Sequence, residues 1–241
     1  MDQVRVELAK EYPEINRARM LSVQRDFARA AEAYAELLDE MAPREESSSL
    51  KMAAVYLEYA RALILSNDKL VINPEIEEDQ RYLEDLEIAW EVLEVAKQVF
   101  ISHNVVNELL ETYLLLAEMS QDANNLVAAR EDFMGAYDLC LSAYGESRQL
   151  AEISFRIAIV DEGLGETGKA ITRLEELVQM LQRLPGDETI KELVQEVNLR
   201  IDEMKHPEKY KIDLKAEKTT TVDPSAPVTK VSTTKTPKPD K

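Results

Sequence analysis

Gly163-x-Gly165-x-x-Gly168 is the glycine spacing in this chain that could cradle a dinucleotide phosphate, a role that needs a strand leading into the turn and a helix leaving it. The residues on both sides have helical periodicity, so the pattern predicts a turn between two helices. His103, just past Phe100 near a predicted helix end, fits a cap or an exposed position better than catalysis. Cys140, between Leu139 and Leu141, lies on an apolar stripe and reads as a small core residue. Trp90 beside Ala89 is most simply a packing residue, with a rim contact to a ligand as the alternative. No nucleophile elbow, phosphate loop, HExxH or paired-cysteine motif is present, so acyl transfer, phosphoryl transfer and metal hydrolysis have no anchor. The expectation is a protein without enzymatic activity, cofactor or metal.

The informative chemistry is a run of carboxylates. From Pro74 the chain reads Glu75, Glu77, Glu78, Asp79, Tyr82, Glu84, Asp85 and Glu87, with Arg81 as the one base. Such a run is often a solvated loop that aids solubility. Here it is held at both ends by helical segments, so it would present charge at a fixed place, and Tyr82 and Leu83 would add apolar contact. That combination suits a cationic ligand, with orientation as well as attraction.

The elements that hold this run repeat. Tyr113-Leu114-Leu115-Leu116-Ala117 is followed by Ala129, Phe133 and Ala136; Ile157 and Ala158 by Ala170, Leu174 and Leu177; Ala18 by Ala30, Tyr34 and Leu37, with Pro43 beyond. Tyr56, Tyr59 and Ala60 open a further copy whose second half, Ala89, Leu93 and Ala96, arrives about seventeen residues late. A small residue where two helices cross, with a large residue one turn on, resembles the tetratricopeptide pattern. Alanine-rich helices of a plain antiparallel bundle could match it by chance, but four in-frame copies argue against that. Leu184-Pro185-Gly186-Asp187 breaks the last copy, and Thr189 to Met204, with Ile190, Leu193, Val194, Val197 and Ile201 on one face, reads as a capping helix. The expected fold is an all-α helical repeat solenoid over 1–204, with an acidic insertion at about 66–87 and a disordered Lys/Thr/Pro-rich tail over 205–241.

Composition agrees. Six Gly, nine Pro and four Phe among 241 residues, with abundant Ala, Leu and Glu, favour helices. The net charge is −18. From Lys205 onward nine lysines face five acids, a local +4, so residues 1–204 carry −22. Such a surface repels nucleic acid and anionic membranes and draws basic partners. One cysteine and two histidines rule out a disulfide framework or a Cys/His zinc set and fit a reducing compartment. No run nears the roughly eighteen apolar residues of a membrane span, and the first twelve residues lack the apolar core of a leader, so a soluble intracellular chain is expected.

In this frame the first helices of the repeats line the concave wall and expose Glu111, Leu114, Glu118 and Asp122 from the third repeat and Glu152, Phe155, Ile159 and Glu162 from the fourth. The groove reads as acidic with apolar spots. The positions that carry inward Lys and Asn in carboxylate-clamp repeats hold Ile15, Leu114, Leu115 and Glu118, with only Arg19 and Arg61 positive.

Three stretches carry a closer resemblance: Tyr59-Ala60-Arg61-Ala62-Leu63-Ile64 before the insertion, Ala89-Trp90-Glu91-Val92-Leu93-Glu94-Val95-Ala96-Lys97 after it, and Leu116-Ala117-Glu118-Met119-Ser120 in the third repeat. They resemble the nuclear autoantigenic sperm protein family, whose SHNi-TPR repeats carry an acidic insertion in the second repeat. That resemblance, covering roughly residues 15–204, implies a histone chaperone that binds H3, alone or with H4, for nucleosome assembly. It implies a nuclear site, shared with the cytoplasm. In some relatives linker histone is also bound, for which the short insertion here leaves less acidic surface. The tail shows no dense basic cluster of the kind that directs nuclear import, and a homodimer stays open. The histone-binding residues that the resemblance implies are Glu75, Glu77, Glu78, Asp79, Tyr82, Glu84, Asp85, Glu87, Glu111, Tyr113 and Glu118, of which Tyr113 is equally well a repeat-core aromatic, and the groove frame adds Leu114, Asp122, Glu152 and Phe155. The alternative is a general repeat scaffold for another basic protein.

Overall fold

The computed structural model describes residues 1–67, 80–185 and 188–210. Among the described residues there are ten α-helices and no strand. After an N-terminal helix α1 (Asp2–Glu11) they run in antiparallel pairs: α2 (Ile15–Val23) with α3 (Phe27–Met41), α4 (Leu50–Asn67) with α5 (Gln80–Ser102), α6 (Val106–Asp122) with α7 (Leu126–Tyr144), and α8 (Arg148–Gly163) with α9 (Thr167–Arg183). Helix α10 (Glu188–Lys205) packs on α9 and closes the row. The body spans Met1–Lys205. Of the unit from His206 onward only residues 206–210, with the single 3₁₀ turn Pro207–Lys209, are described, so the expected disordered tail, from 211 on, lies outside the described residues.

The repeat residues are where helices touch. Ala18, Ala60, Ala117 and Ala158 on the first helices and Ala30, Ala89, Ala129 and Ala170 on the second are all without solvent exposure. One turn on, Tyr34, Leu93, Phe133 and Leu174 fill the space that these methyl groups leave, and all four are buried. Close approach at the alanines and bulk beside them is what fixes each pair. The apolar interior forms two clusters, one from α1 to α6 and one from α6 to α10, and the Tyr113 and Leu139 side chains pack against both.

Three pairs close with one turn geometry. Arg25, Asn124 and Gly165 have positive φ (60°, 56° and 78°). The next N–H bonds back five residues: Asp26 to the Leu21 carbonyl at 3.0 Å, Asn125 to Ser120 at 2.8 Å, and Glu166 to Asp161 at 2.9 Å. This is the Schellman closure of a helix C-terminus. The Gly163–Gly168 pattern is therefore the α8–α9 turn. Gly163 also makes room for a neighbour, since a Cβ there would sit 2.8 Å from a Leu126 methyl group.

Two features depart from expectation. Helix α1 leaves no apolar stripe in the sequence, because Leu8 is its one buried residue and Val6 is largely exposed. It is held at a distance, by Lys51 on Glu11 at 2.6 Å and by Arg5 on Glu108 at 3.0 Å. Helix α5 starts at Gln80, so Glu84, Asp85 and Glu87 are on its first turns and not in a loop. Glutamate is a good helix former in mid-chain, and nothing from Gln80 to Ala89 interrupts a helix.

Candidate functional site

The first helices stand side by side and are tied by ion pairs from one repeat to the next. Arg19 of α2 donates to both carboxylate oxygens of Glu58 on α4 at 2.9 and 2.7 Å, and the Tyr34 hydroxyl donates to the same carboxylate at 3.0 Å. Burial, and then the Glu58 charge, push the Tyr34 phenol well above its ordinary range. Arg61 of α4 bonds Glu111 of α6. Arg156 of α8 bonds Glu118 of α6 and, one turn away on its own helix, Glu152 at 3.1 Å. Arg200 of α10 bonds Glu162 of α8 and, at 2.9 Å, Glu203.

The row expected to be acidic is partly paired: Glu111 holds Arg61, whereas Glu118 and Glu152 share Arg156 and Glu162 shares Arg200 with Glu203, so a surplus of carboxylates stays on it. Arg156 and Arg200 join Arg19 and Arg61 on it. A signal was present: Arg156 stands two residues before the repeat alanine Ala158, as Glu58 stands two before Ala60, so the position was marked as one that pairs with its neighbour.

The remaining predicted residues fall in separate places. Leu114 is half-buried against the second cluster, and Asp122 is exposed at the end of α6. The Tyr113 ring presses on α7, where a Cβ on Gly135 would lie 2.8 Å from it, and the Lys97 ammonium sits 5.8 Å from the ring centroid. Its packing role is thus evident. Lys97 also bonds Glu94 at 2.6 Å and Asp132 at 3.3 Å. Burial raises the Asp132 pKa, and burial also opposes the Lys97 charge, which hydrogen bonding to Glu94 and the Asp132 charge nevertheless hold above its usual range. Phe155 and Glu152 line an open pocket of about 480 Å³ between α8, α9 and α10, with Leu177, Leu181, Leu193 and Val197 as its apolar walls. A second pocket, of about 400 Å³, lies among α1, α2, α4 and α6, where Arg5, Arg19 and Arg61 alternate with Glu58 and Glu108. Glu108 is only 6% exposed, and Arg5 is its counter-ion.

On α5, Glu84 and Glu87 are exposed and Asp85 is half-buried. Tyr82 is placed on the same helix. Glu75, Glu77, Glu78 and Asp79 lie outside the described residues. Trp90 is 48% exposed, which overturns its reading as a packing residue. His103 caps the end of α5, with Nδ1 2.9 Å from the Val99 carbonyl oxygen, and Cys140 is buried. Among the described residues no three His, Cys, Asp or Glu side chains are grouped to hold a metal ion, and no helix is long and apolar enough to cross a membrane.

No protein-family model matches the sequence, and no curated protein matches it. Solved structures do. The TPR-like repeats of a putative kinesin light chain from Podosopora anserina align over 84% of this chain and 90% of that one, at 15% identity and a TM-score of 0.65. BtubC (BKLC) from P. vanneervenii aligns over 97% of this chain and 94% of that one, at 14% identity and a TM-score of 0.54. The fold is a TPR-like helical repeat.

Proposed function

We propose that this chain is a non-enzymatic histone chaperone that binds H3 and H4, in the nucleus and in the cytoplasm that supplies it, and shields their charge during nucleosome assembly. One observation carries this reading: Glu84, Asp85 and Glu87 continue the acidic segment 75–79 onto the first turns of a long helix. They stand directly ahead of the Ala89–Lys97 stretch that most resembles the histone-binding family. Because the groove carboxylates are partly paired with arginine, the acidic segment and the head of α5 supply most of the charge contacts in this reading, and the groove contributes shape, apolar surface and its remaining charge. An excess of 47 acids over 29 bases on the whole chain favours a cationic partner.

A general scaffold for another basic protein is the second reading, favoured by the apolar pocket beside Phe155, which needs no acidic segment. Binding of the purified chain to the H3–H4 pair and to the other core-histone pair, across a salt series, separates the two. Preference for H3–H4 that survives physiological salt and disappears when Glu77, Glu78 and Asp79 are reversed to lysine is the expected result. Equal, salt-fragile binding to both pairs would remove the chaperone reading.

A further inference from the structure

Helix α5 carries an unusual outer surface. Leu83, Ile88, Trp90, Val95 and Ile101 are all exposed large apolar side chains on this one helix. At 3.6 residues per turn, Leu83, Trp90 and Ile101 fall within about 20° of one another, and Ile88 and Val95 form a second strip on the far side. Between the strips Glu84, Glu87, Glu91 and Glu94 follow one another at spacings of three, four and three, which is one continuous ridge of carboxylates. Glu94 holds Lys97. Glu87 and Glu91 have no ion-pair partner among the described residues. Like charges one turn apart oppose the helix by roughly a few tenths of a kcal/mol per pair, and exposed indole and isobutyl groups gain nothing from water. Neither feature helps the free protein.

We propose that this outer face of α5 is a docking surface for a cationic amphipathic segment of a partner protein, whose Lys or Arg side chains bridge Glu87 and Glu91 while an aliphatic side chain covers Trp90. Charge fixes the occupant. A second copy docking through the same face would bring acid ridge against acid ridge, and nucleic acid or an anionic membrane would be repelled. A tryptophan flanked on one side by a row of glutamates is also a favourable stack for a guanidinium or an ammonium. The surface extends the histone reading by a contact beyond the acidic segment 75–79, yet it stands on α5 alone and is tested separately.

Trp90 is the sole tryptophan of the chain, so its fluorescence reports on this face directly. The probe is a Leu/Lys amphipathic helical peptide, compared with a Leu/Gln peptide of the same pattern and with the H3–H4 pair. The expected result is solvated-indole emission in the free protein, a saturable blue shift with Leu/Lys, and about tenfold weaker binding of that peptide in both Trp90→Ala and the Glu87→Lys, Glu91→Lys pair. Unchanged thermal melting certifies that these variants fold. Emission already typical of a buried, quencher-shielded indole would mean that the chain covers its own face and would overturn the proposal. So would equal binding of the Leu/Gln peptide, or Leu/Lys binding that leaves the emission unmoved. If H3–H4 binds with Trp90 silent and Trp90→Ala unaffected, this surface falls and the chaperone reading stands. If Leu/Lys shifts Trp90 but no histone binds, the chaperone reading falls and this surface stands.

Discussion

Glu118 of α6 accepts a hydrogen bond from Arg156 of α8 at the position where, two repeats earlier, Arg19 of α2 donates to Glu58 of α4. The residue after the repeat alanine meets the residue two before the next repeat's alanine in both, with the charges exchanged. The first helices thus share one electrostatic joint that works in either polarity. Glu58 and Arg19 are both shielded in part, at 15% and 28% side-chain exposure, and their bond is bidentate. Removing Arg19 leaves a half-buried carboxylate with only Tyr34 to satisfy it. Arg19→Ala is expected to lower stability by about 1–3 kcal/mol in urea unfolding. The exchanged double variant Arg19→Glu, Glu58→Arg should recover at least half of that loss, since Glu118 and Arg156 show that the joint accepts the reverse order. No recovery would mean that the site depends on the Tyr34 hydrogen bond, not on the pair.

Gly135 of α7 leaves room for the Tyr113 ring of α6, and the two predict a change of sign. In a helix interior Ala is favoured over Gly by about 1 kcal/mol. Here the new methyl group would stand 2.8 Å from Cε1 of the Tyr113 ring, and a ring packed against both halves of the core has little room to retreat. Gly135→Ala should therefore destabilise the protein by about 1–2 kcal/mol. In a Tyr113→Ala background the clash is gone, and the same substitution should stabilise. A destabilising effect in both backgrounds would show that the backbone of α7, not the ring, is the obstacle.

What the sequence reveals and conceals divides along range. Ala117, Ala129 and Phe133 could be read as repeat residues because each acts through spacing along one helix, and all prove buried. The α10 cap was legible for the same reason, in the stripe Ile190, Val197 and Ile201. Helix α1 was not, since Leu8 gives no stripe and its anchors on Lys51 and Glu108 are far along the chain. The ion pairs of the candidate groove were hidden for a related cause: a glutamate's charge is visible in sequence, but Arg156 reaches Glu118 across 38 positions. Trp90 shows its type in the sequence but not its environment, because adjacency to the buried Ala89 says nothing of the neighbouring helix face.

Arg25 occupies the left-handed position that Gly165 fills in the α8–α9 turn, with φ near +60°. A side chain there costs about 1 kcal/mol relative to glycine, partly offset because glycine loses more freedom on folding. Arg25→Gly should raise stability by roughly 0.5–1 kcal/mol, which for a repeat body of this size is a rise of a few degrees in melting temperature. Arg25→Val, β-branched at positive φ, should lower it. No change for glycine would imply that the arginine side chain contributes contacts that balance the strain.

Burial raises the pKa of Tyr12, Tyr34, Tyr56 and Tyr59 above the value of 10.0 that each has in an unfolded chain, with the neighbouring Glu45 adding to the shift at Tyr12 and Glu58 at Tyr34. The sign follows from proton binding. Between the unfolded and folded values the native state holds protons that the unfolded state has released, so stability is intact below about pH 10 and falls as pH rises beyond it. Phenolate absorbance in the near ultraviolet should show these four of the nine tyrosines ionising late, together with the loss of helical circular dichroism. Tyr34→Phe should begin less stable at neutral pH, lacking the bond to Glu58, yet lose stability less steeply above about pH 10. Parallel slopes for the two proteins would show that Tyr34 reaches solvent and titrates without unfolding.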